Sequence, residues 1–270
     1  MEHFSRRTGA VTDPVLEERR GDLLLVTLNR PDRLNAVSPE LYQELDRTLA
    51  SLHRRRDIRA VVITGAGRAF CVGADLKAHA SGTPTDRERH RYILLAQRVN
   101  LRVQRAPCPV VAAVNGHAIG AGLELALSAD FVVVAREAKL RLPEVALGTL
   151  FGGGVSYTLP RRVGLARARE ILLLAREFTG AEAFEMGLAN REAPAGEVLE
   201  ASLGLATELA AMAPLSLQAA RSLLREAPHR GAAATLRAEG EALFRIMQTD
   251  DWQEGVEAFR TRRTPLYRGE

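Results

Sequence analysis

Cysteine is almost absent from the 270-residue chain, where Cys71 and Cys108 are the only two. Two thiols cannot build a disulfide framework, and a chain this long can bury a core without one. A reducing setting, the cytoplasm, is therefore expected. Lysine is as scarce: of 37 basic residues only Lys77 and Lys139 are lysines, which marks these two as places where an ammonium is needed. Long apolar runs are missing as well. No stretch reaches the roughly 18 residues of a membrane span, and runs such as residues 109–114 are strand-sized. No membrane association is expected. Residues 1–11 are polar and lack the apolar segment of a signal peptide, so a loose tail is expected there.

The excess of positive charge is small, +4. Arg19-Arg20, Arg54 to Arg56 and Arg161-Arg162 are scattered and carry no interleaved aromatics. No nucleic-acid partner is expected from them. A positive balance does suit an anionic small molecule, such as one bearing phosphate. There is no His-Glu-x-x-His and no Cys/His cluster, so no metal site is expected.

What is present is an alternation of strand and helix. Residues 15–19 and 23–29 are apolar-rich and meet at Gly21-Asp22, a hairpin signal. Ser38-Pro39 opens a helix with Leu41, Leu45, Leu49 and Leu52 as its stripe. Residues 60–64, 109–114 and 131–135 read as buried strands. A polar stretch, 81–89, reads as a mobile loop before a helix through Arg105, and 123–128 as another helix. This is the rhythm of an α/β core. After Gly148 the chain turns to Ala, Leu, Arg and Glu, and 199–212, 215–226 and 232–247 read as helices. The expected organisation is a core at 12–195 that holds the active site, followed by a helical region at 196–270.

Three segments hold residues able to do chemistry. Phe70-Cys71-Val72-Gly73-Ala74-Asp75-Leu76-Lys77 follows a strand and a Gly-containing turn, a place where backbone N–H groups can face a ligand. Read without context, it is also an ordinary connection with Asp75 as a cap. Cys71 has no nearby His partner and reads as a small buried residue. Asn115-Gly116-His117-Ala118-Ile119-Gly120-Ala121-Gly122-Leu123-Glu124 runs from strand through a Gly-rich turn into a helix. Leu125 stands where a dinucleotide fingerprint needs its third Gly, and no Gly-Lys-Ser/Thr follows. What remains is a helix N-terminus suited to negative charge, with Glu124 in its first turns. His117 reads as a packed or rim histidine. In Leu142-Pro143-Glu144-Val145-Ala146-Leu147-Gly148, apolar neighbours bracket Glu144. Such a carboxyl is either solvated or desolvated with a raised pKa that suits proton transfer. Gly152-Gly153-Gly154 follows and would let a substrate approach the backbone.

At these segments the chain resembles the crotonase, or enoyl-CoA hydratase/isomerase, superfamily. The resemblance also covers Leu28-Asn29-Arg30-Pro31, Leu34-Asn35-Ala36, Thr249-Asp250-Asp251 and Glu254-Gly255 through Phe259. It implies an α/β fold: a crotonase-like spiral of ββα turns with a C-terminal helical trimerisation region, giving a homotrimer or homohexamer. It implies an acyl-CoA thioester as substrate and no separate cofactor. The N–H groups of Ala74 and Ala121 would form an oxyanion hole. Ala74, Asp75, Leu76 and Lys77 would line the CoA path, with Gly120 and Gly152 beside the substrate. Glu124 and Glu144 fall where enoyl-CoA hydratases keep two catalytic glutamates, which favours addition of water to a 2-enoyl-CoA. The alternatives are another reaction of the family, such as Δ3,Δ2-enoyl-CoA isomerisation, or a non-catalytic acyl-CoA- or RNA-binding relative. The chain departs from the family pattern at Phe151, where hydratases commonly have Pro, and at Val155-Ser156-Tyr157, in place of a Gly-Thr-Gln-like stretch. Both lie near the expected acyl pocket and leave acyl-chain preference open. Ala121 replaces a frequent Gly, which is harmless where only its N–H is used.

Overall fold

The first elements form as their side chains dictate. Strands β1 (Val15–Arg20) and β2 (Leu23–Leu28) pair antiparallel about Gly21, whose φ of +66° suits a tight turn. Helix α1 (Pro39–Ser51) starts at Ser38, whose hydroxyl accepts the Leu41 N–H, and it buries Leu41, Leu45 and Leu49. The computed structural model describes residues 13–75 and 84–270.

Beyond α1 the chain spirals, alternating between two sheets. Strands β3 (Ala60–Gly65), β5 (Val110–Val114), β7 (Phe131–Ala135) and β10 (Arg191–Ala193) extend the first hairpin into a six-stranded sheet of order β1-β2-β3-β5-β7-β10. All its pairings after β1–β2 are parallel. The strands β4 (Ala69–Cys71), β6 (His117–Ile119), β8 (Lys139–Arg141) and β9 (Phe178–Thr179) form a second, four-stranded sheet of order β4-β6-β8-β9. Each turn of the spiral thus leaves a long apolar strand in one sheet and a short one in the other. Helices α2 (Asp86–Gln104) and α3 (Ala121–Ser128) belong to successive turns. This is the expected crotonase-like spiral.

One expectation is refined. Residues 86–89 are the first turn of α2, not loop: Thr85 and Glu88 form a reciprocal capping box, so the polar residues are cap chemistry. The change of character after Gly148 comes with α4 (Val155–Leu174), two helical pieces that kink at Gly164 with φ +75°, and with α5 (Gly180–Glu185). The packing runs on through residue 195, because α6 (Val198–Ala210) lies across β3, β5 and β7 and adds Val198, Leu203, Leu205 and Ala206 to the same core. Helices α7 (Pro214–Glu226), α8 (Ala232–Ile246) and α9 (Asp250–Thr261) stand further out. Arg221 ties α7 to the core with two hydrogen bonds to the Asp130 carboxylate, 2.9 and 2.7 Å, and one to the Ala106 carbonyl.

One buried amide sets the first turn of the spiral. Leu34 and Asn35 adopt left-handed φ values of +50° and +55°. Asn35 is fully buried; its Nδ2 donates to the carbonyls of Ala66 and Ala69 at 2.9 and 2.8 Å, and its Oδ1 accepts the Arg30 N–H at 2.8 Å. The amide therefore ties the chain before α1 to the turn that precedes β4. Asn35→Ala strands these groups in a dry interior and is expected to cost about 3–5 kcal/mol. Urea denaturation measures it, and a loss under about 1 kcal/mol would show that the turn stands without the amide.

Candidate active site

Two turns of the spiral meet where β4 and β6 end. After β4, Val37 pairs with the segment around Ala74: its N–H donates to the Gly73 carbonyl at 2.7 Å, and its carbonyl accepts the Asp75 N–H at 3.2 Å. In a parallel bridge the central residue's own N–H points away from the partner strand, so that of Ala74 faces the other side. After β6, Gly120 turns the chain with φ +53° and α3 begins at Ala121. The N–H of that first helical residue is one the helix cannot satisfy itself. A Cβ on Gly73 would lie 3.3 Å from the Ala121 nitrogen, and one on Gly122 would lie 2.0 Å from the Cys71 carbonyl oxygen. Only chains without side chains at these points approach so closely, and that approach brings Ala74 and Ala121 together.

Glu124 sits in the first turn of α3 and is only 5% exposed. The N–H of Gly153 donates to its Oε1 at 3.0 Å, and the Gly152 N–H bonds the carboxylate as well. The glycine run thus serves Glu124: a Cβ on Gly153 would come within 2.9 Å of Glu124 Oε2 and 2.8 Å of Asn100 Nδ2. Behind the carboxyl, the Ser128 hydroxyl lies 3.0 Å from both Asn100 Oδ1 and the Glu124 carbonyl. Sequence reading missed Asn100 and Ser128. The available signal was the i, i+4 series Tyr92, Ala96, Asn100 and Gln104 along one stripe of α2.

Glu144 follows β8 and opens the 3-10 turn Val145–Leu147. Its Oε1 lies where a Cβ on Gly120 would come within 2.7 Å, and its Oε2 is buried with no hydrogen-bond partner among the described residues. Burial raises the pKa of both carboxyls. Glu124 is pushed up to about 7, chiefly by desolvation, against the lowering effect of the Gly153 N–H, with the charge of nearby Glu144 adding to the rise. Glu144 is raised by desolvation. Two neighbouring carboxyls so placed titrate as a coupled pair.

The other marked residues take structural places. Asp75 is buried and pairs with Arg30 at 3.2 Å, so its carboxylate is engaged within the fold. Leu76 and Lys77 lie outside the described residues. Lys139 forms an exposed ion pair with Glu177 at 3.0 Å, an ordinary surface contact and no special need for an ammonium. His117 accepts the Lys139 N–H on Nδ1 at the rim of the second sheet. Cys71 is fully buried, and desolvation pushes its thiol up to about 12, which rules out a thiolate nucleophile. Among the described residues, no group of three or more His, Cys, Asp and Glu is placed to hold a metal.

Desolvated Glu124 has a stability consequence. Its folded pKa lies above the ordinary 4.5, so the folded state binds more protons and stability falls as pH rises from about 4.5 to 7. The rise to about 7 corresponds to about 3 kcal/mol. Glu124→Gln is expected to gain up to about that much at pH 8 relative to pH 5. Thermal melts across this range check it, and parallel pH profiles for the two proteins would refute it.

Residues 18–270 match the family model described as enoyl-CoA hydratase/isomerase. A 2,3-dehydroadipyl-CoA hydratase of Escherichia coli is 36% identical, over 94% of this chain and 98% of that protein. An enoyl-CoA isomerase/hydratase of Zymoseptoria tritici is 33% identical, over 92% of this chain and 84% of that one. Among solved structures, an enoyl-CoA hydratase from Bacillus anthracis superposes with a TM-score of 0.91 at 32% identity, over 95% of this chain and all of the other. The spiral, its two apposed turns and these likenesses over nearly the whole length have one meaning: the chain belongs to the enoyl-CoA hydratase/isomerase, or crotonase, superfamily.

Proposed function

We propose that the protein is an enoyl-CoA hydratase, which adds water across the double bond of a 2-enoyl-CoA thioester. One observation carries the reading: two desolvated carboxyls, Glu124 and Glu144, converge beside the turns that hold Ala74 and Ala121. The N–H groups of those two residues receive the thioester oxygen. As the water oxygen bonds to Cβ, the double-bond electrons move toward the carbonyl and charge builds on that oxygen. Each donor fixed there is worth about 3–4 kcal/mol in the transition state.

The carboxyls divide the proton work. The N–H groups of Gly152 and Gly153 favour the ionised form of Glu124, which accepts the proton that the attacking water loses. Glu144, its Oε2 desolvated and unpartnered among the described residues, carries the proton that goes to Cα. The product is a 3-hydroxyacyl thioester, and transfer of a proton from Glu124 to Glu144 through solvent resets the pair. Isomerisation, the competing reading, moves a proton from Cα to Cγ and can proceed with one carboxyl, so the retention of both supports hydration.

We also place the protein in the cytoplasm as a trimer or a dimer of trimers. The C-terminal helices support the assembly: Leu236, Leu243, Phe244 and Phe259 are exposed, Phe259 by 89%. Such apolar surface is seldom left open on a monomer.

The test of the chemistry is a panel of 2-enoyl- and 3-enoyl-CoA substrates, followed by the absorbance of the conjugated thioester. Glu144→Gln is expected to lose at least about 100-fold in kcat while still binding CoA thioesters. Glu124→Gln should lose hydration more than any isomerisation, and equal losses would remove the division of labour. Since Glu124 must be ionised to accept a proton, kcat/KM for hydration is expected to fall below pH about 7. A profile flat from pH 5 to 8 would contradict it. For assembly, light scattering at low micromolar concentration is expected to give a multiple of three subunits, and a mass near 29.4 kDa would overturn it.

A further inference from the structure

Helix α2 buries Leu95, Val99, Asn100 and Val103. Three are apolar, as packing against a core requires, and one is an amide only 2% exposed. Asparagine is a poor helix former and is costly to bury unless its polar atoms are bonded. Here both ends are bonded. Nδ2 donates to the Ala96 carbonyl at 3.0 Å, one turn back along the helix, and the Ser128 hydroxyl lies 3.0 Å from Oδ1. The second contact joins α2 to α3, and the same hydroxyl lies 3.0 Å from the Glu124 carbonyl. Held at both ends, the amide has one place and one orientation.

Its Nδ2 meets the glycine turn. A Cβ on Gly153 would lie 2.8 Å from Asn100 Nδ2, 2.9 Å from Glu124 Oε2 and 3.0 Å from Glu124 Cβ. Gly153 is thus seated in the angle between the two side chains, and from that seat its N–H donates to Glu124 Oε1 at 3.0 Å. The chain then turns through φ +93° at Gly154 into Val155, which is fully buried. Burial of Val155 holds one end of the turn, and the Asn100 amide is the stop against which Gly153 rests.

We propose that Asn100 is a positioning residue: it seats Gly153 against Glu124 and so holds the Glu124 carboxylate in the orientation that receives the proton of the attacking water. Buried as it is, it acts through Gly153 and Ser128 and not on substrate. The inference rests on the reading that Glu124 accepts that proton. Loss of the amide opens space beside Gly153 and frees the turn. The Gly153 N–H, which favours the ionised carboxyl, then no longer serves Glu124, and the pKa of Glu124 rises further. The titratable groups that face this carboxyl, Glu144 and Tyr42 of α1, keep their places.

The test compares Asn100→Ala, Ser128→Ala and, as a control, Val99→Ala, a fully buried neighbour on α2 whose truncation costs packing alone. Each full-length variant is assayed for hydration of 2-enoyl-CoAs from about pH 5 to 9. The infrared band of the protonated Glu124 carboxyl, assigned by its loss in Glu124→Gln, is titrated over the same range. Asn100→Ala is expected to lose about tenfold or more in kcat with KM within about twofold. It should also move both the fall of kcat/KM and the infrared titration to higher pH. Ser128→Ala should move both in the same direction by less. Val99→Ala should lower the melting temperature and leave both pH profiles in place. Wild-type kcat and unmoved titrations in Asn100→Ala, or equal shifts in Val99→Ala, overturn the proposal. Should Asn100→Ala not assemble, an unmoved titration in Ser128→Ala does so. A moved infrared titration with no matching change in the activity profile upholds the positioning of Glu124 and refutes its role as the base.

Discussion

The close approach of the turn after β4 to the start of α3 is the constraint on which the site depends. Gly122 lies so near the Cys71 carbonyl that a Cβ there would be 2.0 Å from its oxygen. A methyl group would therefore force the two spiral turns apart. With them would go the alignment of the Ala74 and Ala121 N–H groups, since these belong to the two turns of the spiral that this contact holds together. The absence of a side chain in the packing here has the same standing as the presence of a catalytic one.

The second constraint is electrostatic. A carboxyl pushed to about 7 by desolvation is a cost to the fold that no neighbouring cation offsets in the balance of causes. The Gly152 and Gly153 N–H groups moderate the cost from the turn that leads into α4.

Much of the fold was legible from the chain. The hairpin at Gly21, the Ser38 cap and the long strands β3, β5 and β7 rest on local signals: left-handed turns, capping hydroxyls and uninterrupted apolar runs. The second sheet was not. Strands β4, β6 and β8 have three residues each, too few for a period to show, and β6 lies inside a segment that reads as a Gly-rich turn. The first turn of α2 was hidden for another reason. Its polar residues satisfy the backbone as a capping box, which composition alone cannot tell from a loop.

For the site, the chain by itself determined the kinds of groups available: two glutamates in apolar surroundings, glycines at turns, and no metal-binding motif. It also carried the family pattern that links segments scattered over more than 70 residues, from Ala74 to Glu144 and beyond. Only the tertiary structure decided how those groups meet. Burial of Glu124, its bonds to Gly152 and Gly153, the Asn100–Ser128 backing and the engagement of Asp75 by Arg30 all join residues distant in sequence. Desolvation and hydrogen bonding act through space, so a carboxyl's pKa follows from what the folded chain packs against it. A linear sequence lists the groups, and packing sets their energies.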